Sequence, residues 1–395
     1  MRQEVYNMKL KSLCGLLLLS NATYALNLEV KGFLKTDIYH SDQGVGSYGD
    51  DYSHVAPTRA LRTDQGTTAK QRRDGSEATS FQIAQSRFSF HITHGKAKGV
   101  FEFDFIDSDT GFNKQTALQA AGIRTRMAYL DYAINDRFSI FMGQKWGTAS
   151  GIKGVGSWNY VGNAFQTGNT GFFNQELGFS YKLNNLTFTL ALTGKGRNFN
   201  GGVNENELGS MPGLALDINY KSKSFMIGLA SHAGELEFEK NEDFTGTGEN
   251  QNAYLAKVYG NVSFWKAKWN LEYYVGQSLN NLNALGVGAA TKIDDSGNIT
   301  KAVRESGVWT SLMVNWNKIS KSTFGYGQAA VADSFVSNLG ATSISENTLM
   351  FANYSRSLTD QLQWYIQWEN YTTKYGSDEK EFDANVYISG FRLNI

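Results

Sequence analysis

Hydrophobic residues recur at every second position through most of the chain, and residues 176–194, ELGFSYKLNNLTFTLALTG, display the pattern most clearly. Leu177, Phe179, Tyr181 and Leu183 share one parity. After Asn184 and Asn185 the alternation resumes with Leu186, Phe188, Leu190 and Leu192. The other parity holds Gly178, Ser180 and Lys182, then Thr187, Thr189, Ala191 and Thr193. Successive side chains of a strand point to opposite faces, so this spacing predicts two strands with one apolar and one polar face each. The Asn-Asn pair suits the positive φ of a tight hairpin.

The same alternation returns in Leu28, Val30, Leu34 and Ile38, in Phe101, Phe103 and Phe105, in Trp269, Leu271, Tyr273 and Val275, and in the terminal Tyr387, Phe391, Leu393 and Ile395. The connections alternate as well. Short turns fall near 95–99, 135–137, 184–185, 221–224, 265–268, 317–322 and 359–361. Long polar loops fall near 41–79, 107–122, 147–175, 194–212, 231–252, 277–306, 332–346 and 374–384. Together they predict an all-β fold, a transmembrane antiparallel β-barrel of sixteen strands with long extracellular loops and short periplasmic turns. A two-sheet sandwich buries its apolar faces against each other and does not alternate loop lengths this strictly. Tyr220, Phe225, Trp265, Trp269 and Trp316 near strand ends suit interfacial girdles. One stretch breaks the pattern: in IRTRMAYLDY, Arg124 and Arg126 share a parity with Ala128 and Leu130. Either the arginines face the lumen or a bulge changes register, and an arginine in lipid at mid-depth costs ~2–4 kcal/mol, which favours the lumen.

Composition narrows the picture further. The chain of 395 residues carries 41 Gly and 2 Pro with 13% aromatics, a β-rich balance. After the first thirty residues no apolar run approaches the ~18–20 residues of a spanning helix. The N-terminus has Lys9 and Lys11, then Leu13–Leu19, then Thr23-Tyr24-Ala25, which reads as a secretory signal peptide over residues 1–25 with Met8 as the better start. Residues 26–395 then form a single barrel domain. Cys14, the chain's one cysteine, falls within the signal, so the exported chain has no disulfide. Removal of Arg2, Lys9, Lys11 and Glu4 from 37 basic and 37 acidic residues leaves 34 against 36, and nothing in that balance suggests nucleic acid.

Three stretches together resemble a known family. QSRFSFHI (85–92) is similar to the QSR-aromatic strand of proteobacterial porins. IRTRMAYLDY followed by FMGQKWG (123–147) resembles the strand pair that precedes their constriction loop, and the terminal alternation resembles the last strand of outer-membrane barrels. The chain is most similar to the DcaP-like trimeric porins among the Gram-negative porins, although Ile395 stands where a terminal Phe is usual. The resemblance implies a homotrimer in the outer membrane, among its lipid and lipopolysaccharide, with loop 3 folded into the pore. It also implies passive diffusion of small hydrophilic solutes.

Within such a lumen the pore-lining candidates are Arg87, Arg124, Arg126, Lys145 and Arg392 on the wall, Glu102 and Asp104 between them, and Lys153 on the third long loop. That loop, residues 147–175, carries no acid. An unpaired basic cluster in a narrow pore favours anions, and arginine holds carboxylates bidentately, so small carboxylates are one candidate class. Against this, Glu102 and Asp104 can neutralise the cluster through cross-strand pairs, which leaves little selectivity or a cation preference. No catalytic, cofactor or metal site is expected. His91 and His94 cannot chelate together from a strand, DDSGN (294–298) lacks the other ligands of a calcium loop, and GKGRNFNGG (194–202) lacks the ending of a phosphate loop. An adhesin or structural barrel, or an outer-membrane enzyme with a filled lumen, is the alternative to a channel.

Overall fold

The computed structural model describes residues 26–46, 59–62, 77–83, 85–105, 123–159, 164–171, 173–194, 211–237, 250–279, 282, 284–285, 290–293, 299–337, 339 and 343–395. The expected signal segment 1–25, the DDSGN stretch and most of the long connections lie outside the described residues.

Sixteen strand positions form one closed antiparallel barrel. In chain order they are β1 (Asn27–Ser41), β2 in two segments (Ala78–Gln82 and Arg87–His94), β3 (Ala97–Asp104), β4 (Arg124–Ala133), β5 (Phe138–Trp146), β6 (Phe173–Leu183), β7 (Leu186–Thr193) and β8 (Gly213–Lys221). The second half comprises β9 (Phe225–Glu237), β10 (Asn250–Phe264), β11 (Ala267–Gln277), β12 (Arg304–Asn315), β13 (Ser320–Val331), β14 (Ile344–Ser357), β15 (Leu362–Tyr375) and β16 (Lys380–Asn394). β1 pairs with β16 on one side and with both segments of β2 on the other, so the sheet has no edge. Closure is what lets strands cross lipid, because each backbone donor and acceptor then has a partner inside the wall. Where β2 is interrupted, the Lys35 N–H donates to Ser86 Oγ at 2.9 Å and Ser86 Oγ donates to the Lys35 carbonyl at 3.2 Å. This hydroxyl stands in for the ladder bonds that the interruption removes.

The alternation sorts the faces. Leu177 is 47% exposed and Leu183 42%, whereas Glu176, one position away, is 3% exposed. Apolar residues therefore face outward and polar residues inward, the inverse of a water-soluble sheet. Asn184 takes a φ of 52° in the hairpin between β6 and β7. Tyr220, Phe225, Trp265, Trp269 and Trp316 are all exposed at the short-turn end. Two expectations need correction. The segment 374–384 is no long loop: β15 and β16 run on to Tyr375 and Lys380, joined by a tight turn in which Gly376 takes a φ of 67° and Glu379 one of 49°. In β4, lumen and bulge are both realised. Glu102 pairs with Met127 and Phe103 with Thr125, so Arg126 is the extra residue of a β-bulge. The bulge lets Arg124 and Arg126 point inward while Ala128 and Leu130 point outward.

The main apolar cluster lies on the inner side of the wall. Tyr39, Trp309, Phe351, Tyr365 and Ile388 from the strands meet Ile152, Val155, Trp158 and Ala164 from the connection between β5 and β6. A second cluster joins Leu285, Val303, Val331, Phe335 and Ile344 at the long-loop end. One residue of the first long connection is fastened there too: the Ala60 N–H donates to Thr373 Oγ1 at 3.0 Å and Tyr375 Oη donates to the Ala60 carbonyl at 2.6 Å.

Candidate functional site

β2, β3 and β4 are neighbours, and their inward parity brings together Arg87, Glu102, Asp104, Arg124 and Arg126. Arg124 holds Asp104 through two bonds, Nε at 3.1 Å and Nη2 at 2.7 Å. Arg126 spans both acids, with Nε 2.8 Å from Glu102 Oε1 and Nη1 3.0 Å from Asp104 Oδ2. Arg87 Nε lies 3.7 Å from Glu102 Oε1, an ion pair too long for a hydrogen bond. Asp104 is fully buried and Arg126 nearly so. Forked, charge-assisted bonds of this kind fix geometry as well as charge. Three guanidiniums thus share two carboxylates. Arg124 and Arg126 are largely neutralised, and Arg87, with 29% of its side chain exposed, carries the remaining positive charge toward open space.

The other candidates extend this surface in two directions. Arg392 on β16 lies 4.0 Å from the Phe33 ring centroid and Arg87 lies 5.4 Å from the same ring, so Phe33 separates two guanidiniums on adjacent wall positions. Lys145 on β5 sits 3.4 Å from the Phe141 centroid. Lys153 is exposed, and Asp217 and Glu176 are the acids whose charges reach it. The candidates accordingly fall into a β16–β4 group and a smaller group around Lys145 and Lys153. Lys321 on β13, absent from the sequence-based set, lies over the Trp158 ring at 5.6 Å. Among the described residues, Lys145, Lys153, Lys321 and Arg392 have no carboxylate at ion-pair distance.

The acids are placed differently. Glu176 accepts from the Thr148 N–H and hydroxyl, both at 2.7 Å. Glu305 accepts from Tyr274 Oη at 3.0 Å and from the Leu285 N–H at 3.1 Å. Glu369 accepts from Ser157 Oγ, Asn159 Nδ2 and Tyr371 Oη. All three are buried. Their lone pairs are spent on neutral donors and turned away from solvent, whereas the unpaired cations keep solvent contact.

Several of the residues that organise the site escaped sequence reasoning. They fasten residues 147–171 to the inward face of later strands. Lys257 on β10 and Glu272 on β11 form a fully buried pair at 2.7 Å. Lys257 Nζ donates to the carbonyls of Ser150 at 3.1 Å and Thr170 at 3.0 Å, and Glu272 accepts the Ile152 N–H at 3.1 Å. One ion pair therefore holds both limbs of the segment. A second buried pair, Lys35 and Asp37 at 3.0 Å, works further round the wall. Lys35 donates to the Trp158 carbonyl and to Gln85, and Tyr365 Oη donates to Asp37. The Trp158 N–H donates to Gln367 Oε1 at 2.7 Å, and its indole stacks on Tyr365 with ring centroids 4.2 Å apart. The tip is set into the wall: the Asn347 amide donates to the Gln166 carbonyl at 3.0 Å, and Gly168, at a φ of 109°, lies against Val308 and Gly307. The described residues of the segment contact the wall from β6 to β15 and also reach Lys35 on β1 and Trp146 on β5, whereas Arg87, Arg124, Arg126, Lys145 and Arg392 stand on β2, β4, β5 and β16. Among the described residues no group of His, Cys, Asp or Glu could hold a metal ion.

No protein-family model matches the chain, and no curated protein sequence matches it. Solved structures do match in fold. The outer membrane channel DcaP of Acinetobacter baumannii superposes with a TM-score of 0.73 at 14% identity, covering 94% of this chain and 98% of that one. An anion-selective porin from Comamonas acidovorans gives 0.60 at 10% identity over 94% and 100% of the two chains. In-vitro folded OmpT of Vibrio cholerae, an outer membrane protein in its trimer form, gives 0.54 at 10% identity over 94% and 100%. The sixteen-stranded porin barrel is the fold of this chain.

Proposed function

We propose that this protein is an outer-membrane porin, a passive diffusion channel for small hydrophilic solutes that favours anions, small carboxylates among them. The segment between β5 and β6 forms its constriction by lining the lumen along β6–β15, and solutes pass beside the basic side chains of β2, β4, β5 and β16. The observation that carries the reading is the asymmetry of charge access. Glu102, Asp104, Glu176, Glu272, Glu305 and Glu369 are buried in ion pairs or bonded to neutral donors, whereas Arg87, Lys145, Lys153, Lys321 and Arg392 meet solvent and outnumber the part-exposed inward acids Asp131 and Asp217. In a low-dielectric tube the accessible charges set the potential that a solute meets. The anion selectivity of the similarly folded Comamonas porin is consistent with this. Export through the 1–25 segment and assembly as a homotrimer among outer-membrane lipid and lipopolysaccharide belong to the same reading. The trimer form of the Vibrio OmpT neighbour supports the last point for the fold.

Arg392 and Lys321 give the direct test, because each stands over a ring without a carboxylate partner. Arg392→Glu combined with Lys321→Glu leaves the ladder bonds and the buried pairs intact. The reversal potential of the variant under a KCl gradient is expected to move toward cation selectivity, with unit conductance changed less. A reversal potential equal to the wild type's removes these cations from the account.

A further inference from the structure

The short-turn rim is strongly basic. Lys96, Arg137, Lys223, Lys266, Lys318 and Arg356 are all exposed in or beside the tight turns, against Asp136 and Asp360. Between two of these turns an apolar groove of about 520 Å³ opens on the outer face of β10–β13, bounded by Phe264, Trp269, Leu312, Phe324 and Tyr326. Its polar atoms are already partnered. Trp269 Nε1 donates to Thr310 Oγ1 at 2.7 Å, and Thr310 Oγ1 donates to the Asn270 carbonyl at 2.9 Å. An occupant therefore needs no hydrogen-bonding groups along the groove. Lys266 lies two residues beyond Phe264, in the turn that joins the groove's strands β10 and β11: Nζ lies 5.3 Å from the Trp265 ring and donates to the Trp316 carbonyl at 3.3 Å, which ties the turn of β10–β11 to that of β12–β13. Lys318 lies in the second of these turns.

We infer that this groove and the two lysines form a binding site for one anionic phospholipid of the leaflet that meets the short turns. An acyl chain occupies the groove, and the headgroup phosphate sits between Lys266 and Lys318. The apolar slot and the lysines of the two adjoining turns together match a lipid; an acidic protein or peptide fits only the lysines. The inference rests on the reading of the chain as a membrane barrel with its short turns in the periplasm. Basic side chains at a membrane surface favour anionic lipid, and two of them correspond to about a thirtyfold preference over a zwitterionic lipid of the same chains.

The test uses the full folded protein in detergent, with native mass spectrometry of retained lipid after titration with phosphatidylglycerol or phosphatidylcholine of equal chain length. The wild type is expected to retain phosphatidylglycerol about thirtyfold more strongly. Lys266→Glu with Lys318→Glu should remove that preference while some retention of both lipids persists. Leu312→Trp, which fills the groove, should lower retention of both. Equal retention of the two lipids by the wild type, an unchanged preference in the double lysine variant, or capture of soluble glycerol phosphate as strongly as of the lipid would each overturn the site. So would a wild type that holds an acidic peptidoglycan fragment in preference to lipid. Channel current, measured on the same preparations, keeps failure of the lipid site separate from failure of the channel reading.

Discussion

Replacing Glu272 with leucine destabilises the folded protein by about 3–5 kcal/mol, because it leaves the Lys257 ammonium buried without its counter-charge. Both side chains are fully buried, at 2.7 Å from each other. The loss is not confined to one contact. Glu272 also receives the Ile152 N–H, and Lys257 bridges the carbonyls of Ser150 and Thr170, so the pair connects two strands to both limbs of the inner segment. A double replacement, Lys257→Met with Glu272→Leu, removes the unpaired charge but strands two carbonyls and one N–H, at ~1–3 kcal/mol each. The double variant should therefore recover little stability and should show a loosened segment. Equilibrium unfolding in detergent measures the first effect, and rapid current flicker in single-channel records measures the second. Stability within measurement error of the wild type in the single variant contradicts the role assigned to this pair.

The second large effect is steric. A methyl group added at Gly327 on β13 would stand 2.0 Å from the Thr167 carbonyl oxygen, and one at Gly168 would stand 2.0 Å from the Val308 carbonyl oxygen. Segment and wall meet backbone to backbone at this point. Gly327→Val cannot be relieved by the wall, whose ladder bonds to β12 and β14 are continuous there. The segment must give way, and the only direction open to it is toward the lumen axis. Overpacking of this kind costs about 1–3 kcal/mol. The expected result is a smaller unit conductance from a barrel that still folds and still resists detergent at room temperature. Unit conductance equal to the wild type's would mean that the segment does not bound the open path.

Much of the architecture was legible because a barrel in lipid enforces a period of two on every strand, and loop lengths report on which side each connection lies. The pairing of Glu102 and Asp104 with the β2 and β4 arginines was also legible, since all of them sit at inward parity on consecutive strands. The bulge at Arg126 was less so: the parity conflict was visible, but an extra residue and an inward arginine appear identical in sequence until the partner strand is in register. The clamps were missed for a different reason. Lys257 and Glu272 are fifteen residues apart in sequence, and their common role depends on a connection that returns to them from β5. Lys35 and Gln367 converge on Trp158, and Glu369 on the flanking Ser157 and Asn159, only once the barrel closes between β16 and β1. Each such residue did leave one trace, a charged or amide side chain on the inward parity of a long strand. The 374–384 segment was misjudged because polar residues at the wet end of a strand have the composition of a loop.

An open, cation-lined channel beside a fixed inner segment must pass ions. Current through a planar bilayer containing the purified mature protein tests it most directly, with the reversal potential taken under a KCl gradient. Discrete conductance steps together with a reversal potential on the anion-selective side are predicted. Absence of conductance from folded protein would mean a filled lumen and would return the adhesin and enzyme readings to consideration. Conductance with cation selectivity would retain the channel and contradict the role given to Arg87, Arg392, Lys321, Lys145 and Lys153.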